Sequence, residues 1–254
     1  MSLENKVAVI TGGGLGIGKE YCLGLAKEGA GVVVADIDFE AANNVALEIE
    51  RAGGKALAVR TDVSDEAGTI AMAKKTAECF GRIDVLVNNA GLFTALGGHK
   101  PFMELSVADW DRTMAVNVKG LFLCVRAVYP YMKAQGKGKI VNIGSTIASE
   151  GGAGHLHYGT SKGAVLSFTR NLARELADDN ITVNTLSPGM TTHEAVIAKK
   201  GMTQDRIDRM VKSRCVHKDM VPRDLVGTLV FLASDDSDMV CGQNIIVDGG
   251  FWFA

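Results

Sequence analysis

The chain has 254 residues, 47% hydrophobic and 22% charged, with 30 glycines and only four prolines. This length and composition suit one globular α/β domain, with glycines in tight turns rather than in a disordered linker. The formal net charge of −2 offers no basic footprint for nucleic acid, and no apolar run is long enough to cross a bilayer.

The first residues, Met1–Lys6, lead straight into an apolar strand and lack a signal-peptide layout. Five cysteines (Cys22, Cys79, Cys124, Cys215 and Cys241) are odd in number, widely spaced and without a CxxC pair. They read as free thiols of a cytoplasmic protein, with no metal site.

The first strand, Lys6–Ile10, runs into Thr11-Gly12-Gly13-Gly14-Leu15-Gly16-Ile17-Gly18, and a helix over Gly18–Glu28 follows. Glycines between a strand and a helix let the backbone turn sharply and approach a pyrophosphate. The helix start then offers free N–H groups and a positive dipole end. Gly12, Leu15, Gly16, Ile17 and Gly18 are therefore expected to hold a dinucleotide.

The second strand, Val32–Asp36, ends on a carboxylate eighteen positions after Gly18. Such a group accepts the hydroxyls of an adenosine ribose and repels a 2′-phosphate. No Arg or Lys follows it immediately (Ile37 and Asp38 come next), so NAD is expected rather than NADP. Capping of the next helix, Phe39–Ala52, is the other reading of Asp36. After the third strand, Ala56–Arg60, the pair Asp62-Val63 is placed to meet the adenine. A helix over Glu66–Phe80 and a fourth strand, Val85–Asn88, come next.

Phe93, Leu96, Gly97, Gly98 and His99 lie in a segment, 92–102, that reads either as a pocket wall or as a surface loop. A long helical pattern, Ala108–Lys133, contains Asn117. Ser145 lies just past the fifth strand, Lys139–Ile143, and thirteen residues before Tyr158. Tyr158 and Lys162 are four apart, which puts them on one helix face. A nearby ammonium would favour the phenolate and make the tyrosine a usable base. His155 and His157 flank Tyr158 and read as packing or solvent-contact groups.

A helix over Gly163–Asp178 leads to the sixth strand, Ile181–Leu186. The polar stretch 190–220 interrupts the strand–helix alternation and reads as a substrate lid. Its Lys199, Lys200, Arg206, Arg209, Lys212, Arg214 and Lys218 outnumber Glu194, Asp205 and Asp208. That excess suits either a solvated helix face or attraction of an anionic substrate. A helix over Asp224–Ala233 and a seventh strand, Asn244–Val247, precede the aromatic end Phe251-Trp252-Phe253-Ala254. Those aromatics are expected to pack on a neighbouring subunit or near its pocket entrance. Repeated βα order implies one doubly wound domain over 1–254: a seven-stranded parallel sheet with helices on both faces.

Taken in order, Thr11–Gly18, Asp62, Asn88-Asn89-Ala90-Gly91, Asn117, Ser145, Tyr158, Lys162 and Pro188-Gly189 resemble the short-chain dehydrogenase/reductase family over essentially the whole chain. The resemblance implies a Rossmann-type fold and hydride transfer between NAD and a secondary alcohol or its ketone. It implies Tyr158 as general acid and base, Ser145 holding the substrate oxygen, and Lys162 lowering the tyrosine pKa and bonding the nicotinamide ribose. Asn117 would hold a relay water. Asn89, Ala90 and Gly91 would adjoin the cofactor, and Pro188 and Gly189 would meet its carboxamide.

The family often has a threonine four residues after that glycine. The position here is His193, and Thr191 is expected to serve instead. The family is usually tetrameric or dimeric, so a homotetramer or homodimer is expected, with a small-molecule alcohol or ketone as substrate and no nucleic-acid or membrane partner. A 3-oxoacyl thioester reductase is the nearest alternative, but it usually pairs with NADPH, against Asp36. A non-catalytic NAD-binding regulator is disfavoured by the full Ser145, Tyr158 and Lys162 set.

Overall fold

Seven short apolar runs form the strands of a single parallel sheet: β1 (Val7–Thr11), β2 (Gly31–Asp36), β3 (Lys55–Arg60), β4 (Val85–Asn88), β5 (Gly138–Ile143), β6 (Ile181–Pro188) and β7 (Asn244–Val247). The computed structural model describes residues 2–93, 99–192 and 203–253. Strand order is β3-β2-β1-β4-β5-β6-β7. The order reverses between β1 and β4, where Val9 pairs with Val33 on one side and Leu86 on the other. Such a reversal leaves a crevice beyond the carboxyl ends of the strands.

Alternation along β1 divides the core. Ala8 and Ile10 face one layer, with Tyr21, Cys22 and Leu25 of α1 (Gly16–Lys27), Val45 and Ile49 of α2 (Phe39–Arg51), and Leu229 further along. Val7 and Val9 face the other, with Met72 of α3 (Glu66–Phe80) and residues 124–132. Successive residues of a strand point to opposite faces, so a strand covered on both sides must be apolar throughout.

The helices differ from expectation in several places. The pattern 108–133 divides into α4 (Val107–Met114), a π-helical turn (Ala115–Lys119) and α5 (Gly120–Gln135). A short α6 (Ile147–Glu150) follows Ser145. The next helix, α7, spans Leu156–Glu175, so it starts seven residues earlier than the pattern suggested and carries Tyr158 and Lys162 within it. Gly159 and Gly163, together with an N-cap at His155 that makes no side-chain bond, hid its first turns. Within the expected lid, α8 spans Gln204–Ser213, capped by Thr203. The last helix, α9, is Val226–Ala233, after a 3-10 turn over Pro222–Leu225.

Candidate active site

The turn after β1 is built on contact. Gly12 and Gly16 have φ of +63° and +56°, the left-handed region that glycine enters without strain. A Cβ on Gly18 would stand 2.0 Å from the Gly12 carbonyl oxygen. Asn89, at the end of β4, braces this turn by donating its amide to the carbonyls of Thr11 (3.0 Å) and Gly12 (2.9 Å). Thr11 Oγ1 in return accepts from the backbone N–H groups of Asn89 and Ala90, both at 3.1 Å. Leu15, the N-cap of α1, makes no side-chain cap bond. The first amides of α1 are thus left for a ligand.

Asp36 sits at the carboxyl end of β2. Its Oδ2 accepts from the Gly14 amide at 2.9 Å and its Oδ1 from the Asp38 amide at 3.0 Å. The cap of α2 is Asp38, which accepts from Ala41 N at 3.1 Å. The capping reading therefore belongs to Asp38, and Asp36 is a buttress of the glycine turn.

A cleft of about 1500 Å³ runs from this turn across the ends of β4, β5 and β6. Its walls bring together Gly12, Leu15, Gly16, Ile17 and Gly18 at one end and Ser145, Tyr158 and Lys162 at the other. Asn89, Ala90, Gly91, Pro188, Gly189 and Thr191 lie along it. Asp36, Asp62, Val63 and Asn117 stand outside its lining. Asp62 bonds Ser64 N and Oγ, and Val63 is buried against the place where a Cβ on Gly120 would be. Thr191 is buried, with its hydroxyl donating to the Gly189 carbonyl at 3.1 Å.

The Lys162 ammonium donates to the Ile143 carbonyl at the end of β5, at 2.7 Å, and lies 5.7 Å from the centre of the Tyr158 ring. Burial pushes the lysine down to about 8. Burial pushes the Tyr158 phenol up to about 12, against a smaller lowering from its hydrogen bond with Ser145. Desolvation of the phenolate is the larger of the two effects on Tyr158 in the free protein. Asn117 is fully buried in the π-helical turn. Its Oδ1 accepts from Leu92 N (2.7 Å), and its amide donates to Leu92 O (3.2 Å) and Ser161 Oγ (3.0 Å).

The wall beside Tyr158 is aromatic. The Phe93 ring lies 4.6 Å from the Tyr158 ring and 5.8 Å from that of His155, and His99 meets His155 edge-on. Phe93, His99 and His155 all line the cleft, whereas His157 is buried away from it. Leu96, Gly97 and Gly98 lie outside the described residues, as do His193, Glu194, Lys199 and Lys200 of the expected lid. Part of the lid's positive charge is paired, within the lid in Arg209–Asp205 (3.2 Å) and with the residue just beyond it in Lys218–Asp224 (2.7 Å). Arg214, one of the lid's basic residues, and Phe251, of the aromatic end, also line the cleft of their own chain.

A family model described as "short chain dehydrogenase" matches residues 6–204. This chain is a short-chain dehydrogenase. It is 41% identical over 250 residues to the (2S)-[(R)-hydroxy(phenyl)methyl]succinyl-CoA dehydrogenase subunit of Thauera aromatica, covering 98% of each chain. It is 36% identical to a cyclopentanol dehydrogenase of Comamonas testosteroni, again over 98% of each. A solved 7α-hydroxysteroid dehydrogenase, in complex with NADH and 7-oxo glycochenodeoxycholic acid, matches with a TM-score of 0.92 at 36% identity, covering 98% of this chain and 95% of that one. Like the named relatives, this short-chain dehydrogenase is an oxidoreductase acting on CH–OH groups. No helix among its described residues is long and apolar enough to cross a membrane.

Proposed function

We propose that the chain is an NAD-dependent dehydrogenase of a secondary alcohol and its ketone, with Tyr158 as acid and base. The observation that carries this reading is that one cleft joins a glycine turn fit for a pyrophosphate to the Ser145, Tyr158 and Lys162 cluster. The uncapped start of α1 and the side-chain-free surface at Gly12 and Gly16 fit a dinucleotide. Asp36 beside the turn favours an unphosphorylated ribose and so NAD, which disfavours a 3-oxoacyl thioester reductase using NADPH. Asp62 and Val63 are assigned to the adenine end, Thr191 to the carboxamide end. When bound, the dinucleotide accepts or gives the hydride.

The protein's part is proton management. In reduction the Tyr158 hydroxyl gives its proton to the carbonyl oxygen; in oxidation it takes the hydroxyl proton. Ser145 donates to the same oxygen and stabilises the charge that develops there. Lys162 holds a positive charge beside the phenol and favours its ionised form during oxidation. A Cβ on Gly91 would lie 3.5 Å from Asn117 Oδ1 and 3.7 Å from Lys162 Nζ. The glycine keeps that gap open, which supports a relay water between the two.

The protein is further assigned to the cytoplasm, as a homodimer or homotetramer. Support for assembly comes from Phe122, Phe251 and Phe253, which are 47%, 44% and 76% exposed.

The test is an NADH-absorbance screen of secondary alcohols and hydroxy acids, with Tyr158→Phe beside the wild type. The variant should bind NAD with unchanged affinity and lose turnover by roughly 10²- to 10⁴-fold. NAD binding by the wild type with no turnover across the panel would leave a non-catalytic regulator instead.

A further inference from the structure

Arg214 is a buried cation that forms no salt bridge among the described residues, and the Asp224 carboxylate feels its charge only from beyond contact distance. Only 4% of its surface is exposed, yet it lines the cleft together with Met190 and Phe251. A guanidinium has five N–H donors. Here Nη2 donates to the Met190 carbonyl at 2.5 Å and Nη1 to the Lys218 carbonyl at 3.1 Å. Both acceptors are neutral, and Arg214 makes no ion pair among the described residues. The acids that follow it in the chain are committed elsewhere. Asp219 Oδ1 accepts from the Thr192 hydroxyl. Asp224 interacts with the Arg214 charge but gives its hydrogen-bonding oxygens to Lys218 (Oδ1) and the Val221 amide (Oδ2). Asp248 is ringed by the amides of Gly250, Phe251 and Trp252.

Burying a charge is costly unless an opposite charge accompanies it. Two carbonyls orient the guanidinium but do not neutralise it. Gly249 lets its stem lie close, since a Cβ there would stand 3.1 Å from Arg214 Cδ. The Met190 carbonyl that Arg214 holds immediately follows Pro188-Gly189, so its charge is delivered beside the reactive end of the cleft rather than to the surface.

We infer that Arg214 is the anchor for an oxyanion bound in the cleft, either a carboxylate carried by the substrate or a phosphate of the dinucleotide. This rests on the dehydrogenase reading above. A planar fork with fixed donors suits either group, whereas a lysine would supply only a point charge.

The experiment uses an aryl ketone carrying a carboxylate, its methyl ester, and NADH, each with wild type, Arg214→Lys and Arg214→Met. Circular dichroism establishes that each variant is folded, and the lysine variant serves if the methionine one is not. A fall of roughly 10- to 100-fold in the acid-to-ester ratio of kcat/KM, with NADH affinity unchanged by fluorescence titration, assigns the substrate carboxylate. A similar loss of NADH affinity with the ratio unchanged assigns the phosphate. Unchanged values of both overturn the inference and leave Arg214 a strut between two backbone segments. If neither ketone turns over in the wild type, a ketone whose alcohol the panel shows to be oxidised replaces them, which keeps the failure of the dehydrogenase reading separate. Calorimetric binding of the acid to the NADH complex, and of NADH alone, then still reads Arg214.

Discussion

Burial acts in opposite directions on the two groups at the centre of the site. Tyr158 is pushed up to about 12, so the free protein holds a neutral phenol, ready to donate in reduction. Lys162 is pushed down to about 8 from an ordinary 10.5. Between those two values the unfolded chain binds a proton that the native chain has released, so stability rises with pH across that window. Tyr158 has the reverse effect higher up: between 10 and about 12 the native chain keeps a proton the unfolded one has lost, and stability falls. Lys162→Met removes the cost of burying the ammonium. Net of the lost Ile143 carbonyl bond, it should be more stable than wild type at pH 7, by at most about 3 kcal/mol, and the advantage should shrink towards pH 10. Urea unfolding at several pH values measures this. The spacing of Tyr158 and Lys162 was legible in the sequence because a helix repeats every three to four residues. The direction of their shifts was not, since desolvation depends on what the rest of the chain packs around them.

Among the elements, the π-helical turn at Ala115–Lys119 has the clearest chemical purpose. Widening one turn places Asn117 where it can bind both backbone groups of Leu92 and the Ser161 hydroxyl, itself bonded to the Tyr158 carbonyl at 2.7 Å. The segment after β4, the α4–α5 junction and α7 are thereby tied at one side chain. Asn117→Ala would leave the two half-buried backbone groups of Leu92 and the buried Ser161 hydroxyl without that partner. Denaturant unfolding should show a loss of about 2–4 kcal/mol, with turnover falling and NAD affinity changing less. Asn117 was picked out by resemblance alone, because the hydrophobic pattern 108–133 continues through the turn without a break. Strands were legible for a simpler reason: covered on both faces, they must be apolar throughout. The start of α7 was not, because glycines at 159 and 163 dilute a helical pattern that tertiary packing restores.

At the scale of the molecule, the strand order explains why residues from 12 to 191 meet in one cleft: every contributor sits at or beyond the carboxyl end of a parallel strand. The parallel, doubly wound sheet was legible as an alternation of strands and helices, while its strand order and the path of the C-terminus were not. Asp248 folds residues 249–252 back on itself through three amides, and Gly249 and Gly250 bond to Val216 and Cys215. Phe251 thus lines the chain's own cleft while staying 44% exposed, and Trp252 and Phe253 are 38% and 76% exposed. Deleting Phe251–Ala254 should lower the sedimentation coefficient if this end joins subunits, and also raise KM through loss of Phe251. An unchanged sedimentation profile would remove its part in assembly.

The double duty of Asp36 constrains how this scaffold can change its coenzyme. The carboxylate proposed to discriminate at the ribose also supports the Gly14 amide and, through Asp38, the entry to α2. Replacing it with a small neutral residue to admit a phosphorylated nucleotide withdraws a prop from the pyrophosphate loop in the same stroke. A switch of preference on this backbone therefore needs at least two coordinated substitutions, one to greet the new phosphate and one to hold up the loop.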